Sequence, residues 1–465
     1  MKNFDYSTYL SPFTWRYGSK EMREIWSETY KRKLWRKIWV ELAKAQHKYG
    51  LLTRSDLDDL IKNKDKINIE KSFEFEKEIN HDLMAEIKTY ASLAKIGGGK
   101  IHLGATSMDI EDNADTIRFK ESLSLIEEKL KKLLEEFGKK INIYKDLVCM
   151  AYTHLQPAEP TTLGYRFALY AQDILLDMKL LEFVKINLKG KGIKGAVGTS
   201  ASFVRLLDEK KTEEMEKTVM ENLKIESIEI ASQVAPRKIE YFIASFLSGV
   251  AQSLHKFAFD VRIMQSPGFS EWQEQFSQKQ VGSSAMPFKR NPIISEKVCS
   301  LARVIFNLSN ISKDNASNML LERTLDDSAN RRIYLPEIFL AADEILITAS
   351  TILEGLLINK DQIKKNLDKY GPFATTEIVL MKAVKNGADR QEMHEHLRLL
   401  SMKAWEELQE NGKNRLIEFM KKDNLINKFI KKEEMTGLLN PNKHIGLAPK
   451  RCVTLLKKIE NEISN

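Results

Sequence analysis

Cysteine is scarce in this 465-residue chain, and Cys149, Cys299 and Cys452 are distant from one another and odd in number. That excludes a disulfide framework and points to a reducing compartment. Proline and glycine are scarce as well: 11 Pro and 21 Gly leave long stretches without a helix breaker. Such stretches favour helices, no low-complexity tract stands out, and a mostly α protein with longer than average helices is predicted. No window approaches about eighteen uncharged apolar residues, so no membrane span is expected. MKNFDYSTYLSPF has no basic stretch followed by an apolar one, and it is too poor in Arg for a transit peptide. A cytosolic protein is expected. Charge of one sign is not concentrated either: 73 Lys and Arg against 65 Asp and Glu give +8, spread along helix faces. A solvated basic surface, or a field that draws anionic ligands, fits this pattern. A nucleic-acid binder would need a basic stripe and a recognisable module, and neither is present.

The length exceeds what one compact core supports, so two or three units are expected. From about residue 21 to 110, short amphipathic helices alternate with turns; Trp26, Tyr30, Leu34, Ile38 and Leu42 recur every four residues until Gly50 ends the run. Gly97-Gly98-Gly99-Lys100 then punctuates the chain. Long periodic runs follow near 114–147, 162–189, 236–265, 294–318 and 331–358, which predicts a helical bundle. Shorter helices follow 358. The division expected is 1–110, 111–358 and 359–465.

The stretches between long helices carry the chemistry-bearing residues. Gly282-Ser283-Ser284-Ala285-Met286-Pro287-Phe288-Lys289-Arg290-Asn291-Pro292 crowds hydroxyls, cations and an amide between prolines that exclude regular helix. In THLQPAEPTT, Pro157 and Pro160 place His154 on a turn just before a helix that Thr161 or Thr162 caps. A lone His on a turn is ordinarily a surface residue, and a Ser-Ser pair ordinarily caps a loop. An elimination next to a carboxylate, however, needs a base, an acid and donors for the developing negative charge, and these segments offer a candidate for each. A serine of the Ser283-Ser284 pair acting as base requires its alkoxide to be stabilised by consecutive loop amides, the Lys289 cation and exclusion of water. In ERTLDDSANRR, a helix starting near Asp327 sets Ser328 and Arg332 four apart on one face with Arg323 on the preceding turn, a set suited to a phosphate. Arg16-Tyr17 offers a further cation and a phenol. Met393-His394-Glu395-His396 lacks the spacing of a zinc motif, and Trp26, Trp35 and Trp39 are expected in a core or interface.

GSSAMPFKRNP resembles the signature loop of the fumarase/aspartase superfamily. RYGSKEM, His81-Asp82, LGATSMDIEDN, THLQPAEPTT, GAVGTSASF, the signature loop and ERTLDDSANRR together resemble, in order and spacing, the adenylosuccinate lyase family over essentially the whole chain. The resemblance implies an all-α fold with a central bundle of long helices flanked by two smaller helical domains. It also implies a fumarate-releasing elimination with no metal or organic cofactor. It makes His154 the general acid, oriented by Glu296, and Ser283 rather than Ser284 the base, with Lys289 beside it. Arg16, Tyr17, Arg323, Ser328 and Arg332 would hold a nucleotide phosphate, with His81 and Asp82 nearby. Thr106, Ser107, Gln233, Lys289 and Asn291 would hold the succinyl carboxylates, and Thr153 would sit beside the acid. A homotetramer with sites shared between subunits, and neither membrane nor nucleic-acid partners, is the expected assembly. The rivals are an argininosuccinate lyase, which has no phosphate to hold, and a non-catalytic member of the fold.

Overall fold

A computed structural model describes residues 7–277 and 279–464. The fold is all-α, as expected, with one β-hairpin and one two-residue strand pair among the described residues. The five long runs appear as helices Ser107–Tyr144, Leu163–Asn187, Lys238–Gln265, Ile293–Ser317 and Asp326–Gly355. Each lies within a few residues of its predicted span except at the amino ends of the first and last. There the segments SMDIED and DDSAN join the helices, because their acids favour a helix start. No described helix is long and apolar enough to cross a membrane.

The chain divides into two compact units. The first comprises residues 1–130, 177–252 and 300–347. Its core forms around helix Glu28–Lys48, whose start is fixed by Ser27 accepting the Tyr30 amide at 3.1 Å. The helix ends at Tyr49, and Gly50 follows at φ +76°, a left-handed value that glycine adopts without a Cβ penalty. Leu34, Trp35, Ile38, Trp39 and Leu42 from this helix pack with Leu83 and Tyr90 and with Met215 and Val219. Trp39 is 2% exposed, and truncation there would cost about 3–5 kcal/mol. Trp26 is half-buried and stacks on Phe339 at 5.3 Å.

The second unit comprises residues 131–176, 253–299 and 348–465. Its carboxyl-terminal helices share a core of Val379, Leu380, Met393, Leu397, Leu416, Met420 and Ile426. His396 hydrogen-bonds to Asp423 at 2.7 Å and Glu395 pairs with Arg398 at 2.7 Å, so two of the three HEH side chains are engaged within this unit. All three cysteines are free and buried.

One expectation is corrected here. His154 does not sit on a simple turn before a helix but at the tip of an antiparallel hairpin, Val148–Thr153 against Gln156–Thr162. Prolines lack a ladder donor and argue against a strand. Here Pro157 and Pro160 are accommodated by an irregularity between Met150 and Tyr152 in a two-stranded ribbon. The capping expectation stands, since Thr162 Oγ1 accepts the Tyr165 amide at 3.2 Å.

Candidate active site

Ten of the residues singled out belong to the first unit: Arg16, Tyr17, His81, Asp82, Thr106, Ser107, Gln233, Arg323, Ser328 and Arg332. Helix Asp326–Gly355 brings Ser328 and Arg332 onto one face, where Arg332 Nη1 donates to Ser328 Oγ at 3.0 Å. The other arm of that guanidinium donates to Asp82 Oδ2 at 2.7 Å. Burial would raise the Asp82 carboxyl, but the hydrogen bond and charge of Arg332 outweigh it and hold the group below its ordinary range. His81 caps helix Asp82–Leu93 through Nδ1, 3.4 Å from the Met84 amide. Asp82, Ser328 and Arg332 line one cleft of about 90 Å³, together with Glu28, Lys31, Glu111, Asp115, Arg118 and Arg331.

The remaining first-unit residues are not gathered there. Arg16 is exposed, 5.8 Å over the Tyr17 ring, and Tyr17 packs edge-on against Phe13. Arg323 donates to Asp327 at 2.7 Å, so part of its guanidinium is engaged within the chain. Gln233 is held through its backbone amide, 3.2 Å from the Glu322 carbonyl. Thr106 and Ser107 form the start of helix Ser107–Tyr144, and the Thr106 amide donates to Asp109 at 2.8 Å.

Two buried ion networks that hold these segments escaped the motif reading. Asp109 and Lys191 pair with both side chains fully buried, and Asp109 also accepts the amides of Lys194 at 3.0 Å and Gly195 at 3.1 Å. This fastens the Thr106-Ser107 turn to the glycine-rich GIKGAVG loop. In the second network Arg237 donates to Asp112 at 2.9 Å and to Asp327 at 2.7 Å, while Arg331 reaches Asp115 and Glu240, each at 2.8 Å. Tyr334 closes it on Glu240 at 2.5 Å. Burial opposes ionisation of Asp115 and Asp327, yet neighbouring guanidiniums hold both carboxyls below their ordinary value. The available signal was the spacing in ERTLDDSANRR: Arg323, Asp327 and Arg331 recur every four residues, with Asp327 and Arg331 on the buried face of the helix. Arg331 is therefore the buried arginine, and Arg332 the exposed one, which holds Asp82 and Ser328 at the mouth of the cleft.

Thr153, His154, Ser283, Lys289, Asn291 and Glu296 belong to the second unit. His154 and Leu155 occupy the two central positions of the hairpin turn at φ 53° and 59°. Two residues with Cβ atoms in this region cost about 1–2 kcal/mol each, and such strain is commonly kept where a side chain must be aimed. Both are exposed, as is Thr153.

The signature loop closes on itself. Asn291 Nδ2 donates to the Gly282 carbonyl at 3.0 Å, and a Cβ at Gly282 would lie 2.0 Å from the Lys289 carbonyl oxygen, so only glycine fits. Glu274 accepts the Ile294 and Ser295 amides at 3.1 and 2.6 Å and anchors helix Ile293–Ser317 behind the loop. Ser283 Oγ accepts two backbone amides, from Met286 at 3.0 Å and Ala285 at 3.3 Å. No amide bond of this kind reaches Ser284 among the described residues. Lys289, Met286 and Phe288 are exposed, and Phe288 is 83% so. Glu296 stands exposed in the first turn of its helix, and among the described residues no ion pair joins it to His154 and no hydrogen bond joins His154 to Ser283.

Among the described residues one cluster has metal-ligand character. Glu159, on the His154 hairpin, comes together with Glu377 and His444, their ligand atoms within 4.8 Å of one another. The two glutamates are exposed and share a hydrogen bond.

Comparison with known proteins fits this arrangement. Residues 16–307 match a family model described as lyase, and residues 372–453 match one described as adenylosuccinate lyase C-terminus. The adenylosuccinate lyase of Schistosoma mansoni is 40% identical over 432 residues, covering 91% of this chain and 88% of its own. That of Saccharomyces cerevisiae is 37% identical over 465 residues, covering 98% and 96%. That of Methanocaldococcus jannaschii is 36% identical over 457 residues, covering 97% and 96%. Among solved structures, a 3-carboxy-cis,cis-muconate lactonizing enzyme from Pseudomonas putida superposes with a TM-score of 0.87 at 22% identity, over 97% of this chain and 99% of its own. A fumarate lyase from Mesorhizobium sp. BNC1 gives 0.84 at 22%, with the same coverage. At that identity the likeness speaks for the fold alone. Two family models and relatives this similar over nearly their full length agree with the signature loop and the ERTLDDSANRR helix, and the chain belongs to the adenylosuccinate lyase family.

Proposed function

We propose that this chain cleaves the C–N bond of adenylosuccinate to give AMP and fumarate, and performs the same elimination on succinylaminoimidazole carboxamide ribotide. The observation that carries the reading is the pair of backbone amides donated to Ser283 Oγ. Two N–H dipoles aimed at one hydroxyl oxygen favour its alkoxide, which makes a serine able to act as a base. In this reading Ser283 takes the proton next to the reacting carboxylate. The electron pair forms the fumarate double bond as the C–N bond breaks, and His154 gives its proton to the departing nitrogen. Lys289, Asn291, Thr106, Ser107 and Gln233 hold the succinyl carboxylates, and Lys289 meets the charge that builds as the proton leaves. Arg16, Tyr17, Arg323, Ser328 and Arg332 hold the phosphate, with His81 and Asp82 setting the Arg332 side chain. Thr153 flanks the acid and Glu296 is its charge partner.

We infer a homotetramer with composite sites, in the cytoplasm, with no metal or cofactor and no nucleic-acid or membrane partner. Leu169, Leu176, Leu180 and Phe183 are spaced seven, four and three apart along helix Leu163–Asn187 and form one apolar stripe, each exposed by a third or more. In this reading the stripe is the face that other copies of the chain cover. It falls within 111–358, which supports keeping 1–110, 111–358 and 359–465 as the functional division. The test is complementation: His154→Ala and Ser283→Ala each lose turnover, and mixed tetramers recover part of it. No recovery after demonstrated subunit exchange would refute the composite site.

A further inference from the structure

The cleft that holds Ser328 and Arg332 has eight charged wall residues: Glu28, Asp82, Glu111 and Asp115 against Lys31, Arg118, Arg331 and Arg332. Seven of them are paired with one another. Lys31 meets Glu28 at 2.6 Å, Arg332 meets Asp82 at 2.7 Å, Arg331 meets Asp115 at 2.8 Å, and Arg118 also meets Asp115. Glu111 is the exception, with no hydrogen bond or ion pair among the described residues although it lies one turn before Asp115 on helix Ser107–Tyr144. Its surroundings are charged on every side. Lys31 and Glu28 face it from helix Glu28–Lys48, Asp82 from the next helix start, Arg331 and Arg332 from helix Asp326–Gly355, and Asp112, Asp115 and Arg118 lie on its own helix.

An unpaired carboxyl in such a place decides the sign of the cleft. With Glu111 neutral the wall carries four cations and three anions, a net of +1; with Glu111 ionised the net is zero. We propose that Glu111 sets the affinity of this cleft for a phosphate dianion, taking up a proton from solvent as the phosphate enters and returning it on release. The inference rests on the reading of Ser328 and Arg332 as phosphate ligands. Burial, then the nearby charges of Asp82, Asp115 and Asp112, push the Glu111 carboxyl up to about 8, so the exchange falls in the working range of a cytosolic enzyme. A dianion brought alongside raises it further, and linkage then requires that phosphate affinity fall as pH rises through the free value.

The test uses AMP and the intact protein. Calorimetric titration at about pH 8, in two buffers of different ionisation enthalpy, should show net proton uptake on binding, because the phosphate of AMP, with its second pKa near 6, is already a dianion there. Glu111→Gln, which keeps shape and removes the titration, should abolish that uptake. In turnover, KM of the unaltered protein should rise relative to that of Glu111→Gln by at most about tenfold per pH unit between pH 7 and 9, while the ratio of their kcat values stays constant. AMP binding without proton uptake, or parallel KM profiles, would overturn the role of Glu111 and leave the phosphate reading standing. Absence of AMP binding in both proteins would overturn the phosphate reading, and this inference with it.

Discussion

Asp109→Asn is the most exacting perturbation of the first unit. The carboxylate and its partner Lys191 are both fully buried, and Asp109 accepts three backbone amides besides, from Thr106, Lys194 and Gly195. Asparagine keeps the volume, removes the charge, and turns one acceptor into a donor facing amide hydrogens. Lys191 is left as a buried cation with only the Gly195 carbonyl at 3.1 Å to meet it. Breaking a buried pair in this way costs about 3–5 kcal/mol. For a compact unit of this size each kcal/mol lowers the midpoint by about 2–4 °C, so a drop of about 6–20 °C is expected in calorimetry or a fluorescence melt. The double variant Asp109→Asn with Lys191→Met removes both charges, keeps an amide oxygen for the backbone donors of Thr106, Lys194 and Gly195, and should regain part of the loss, since the stranded cation is gone. KM for adenylosuccinate should rise in both variants, because the Thr106-Ser107 turn loses its tie to the glycine-rich loop. A melt of Asp109→Asn within about 1 °C of the parent, well under the shift expected from 1 kcal/mol, would refute the reasoning, and so would a double variant no better than the single.

Ser283→Ala should lower kcat by about 10²–10⁴ or more with no change in melting, while Ser284→Ala, whose hydroxyl receives no amide pair, should retain most activity; steady-state rates decide it, and equal losses would contradict the amide argument. Arg331→Ala and Arg332→Ala should separate cleanly. The first removes one buried partner of both Asp115 and Glu240, leaving them Arg118 and Tyr334, and costs about 3–5 kcal/mol in urea unfolding. The second, at a half-exposed side chain, leaves stability within about 1 kcal/mol and raises KM about tenfold to a hundredfold. Asp115 and Asp327 have folded values below the ordinary 3.8, so the unfolded chain binds more protons as the medium becomes acid. Their contribution is complete above that ordinary value and is lost as pH falls through the lower folded ones. Urea midpoints should therefore fall steeply below about pH 4, and a midpoint flat from pH 5 to 3 would count against the network.

How far the sequence carries is visible in particular elements. The long helices were legible because their apolar periodicity is strong and unbroken by Pro or Gly, and the Ser328–Arg332 contact followed from four-residue spacing alone. The His154 hairpin was not, since two prolines within seven residues argue against the strand that Gln156–Thr162 forms. That strand is held by register and by a turn whose left-handed geometry His-Leu does not announce. Arg331 and Arg332 are adjacent and chemically identical, and only burial distinguishes the one locked in the interior from the one that lines the open cleft with Asp82 and Ser328. Lys191 and Asp109 are 82 residues apart, a separation at which no pairing rule operates. Glu111 lies inside a motif that was recognised, yet its isolation depends on seven neighbours being satisfied by each other, which is a property of the assembled cleft.

The most direct test of the central claim is fumarate release from adenylosuccinate by the purified protein, followed beside argininosuccinate under the same conditions. Turnover of adenylosuccinate with fumarate and AMP appearing in equal amounts, and none with argininosuccinate, is the predicted result. A folded, assembled protein that releases fumarate from argininosuccinate, or from neither, would contradict it.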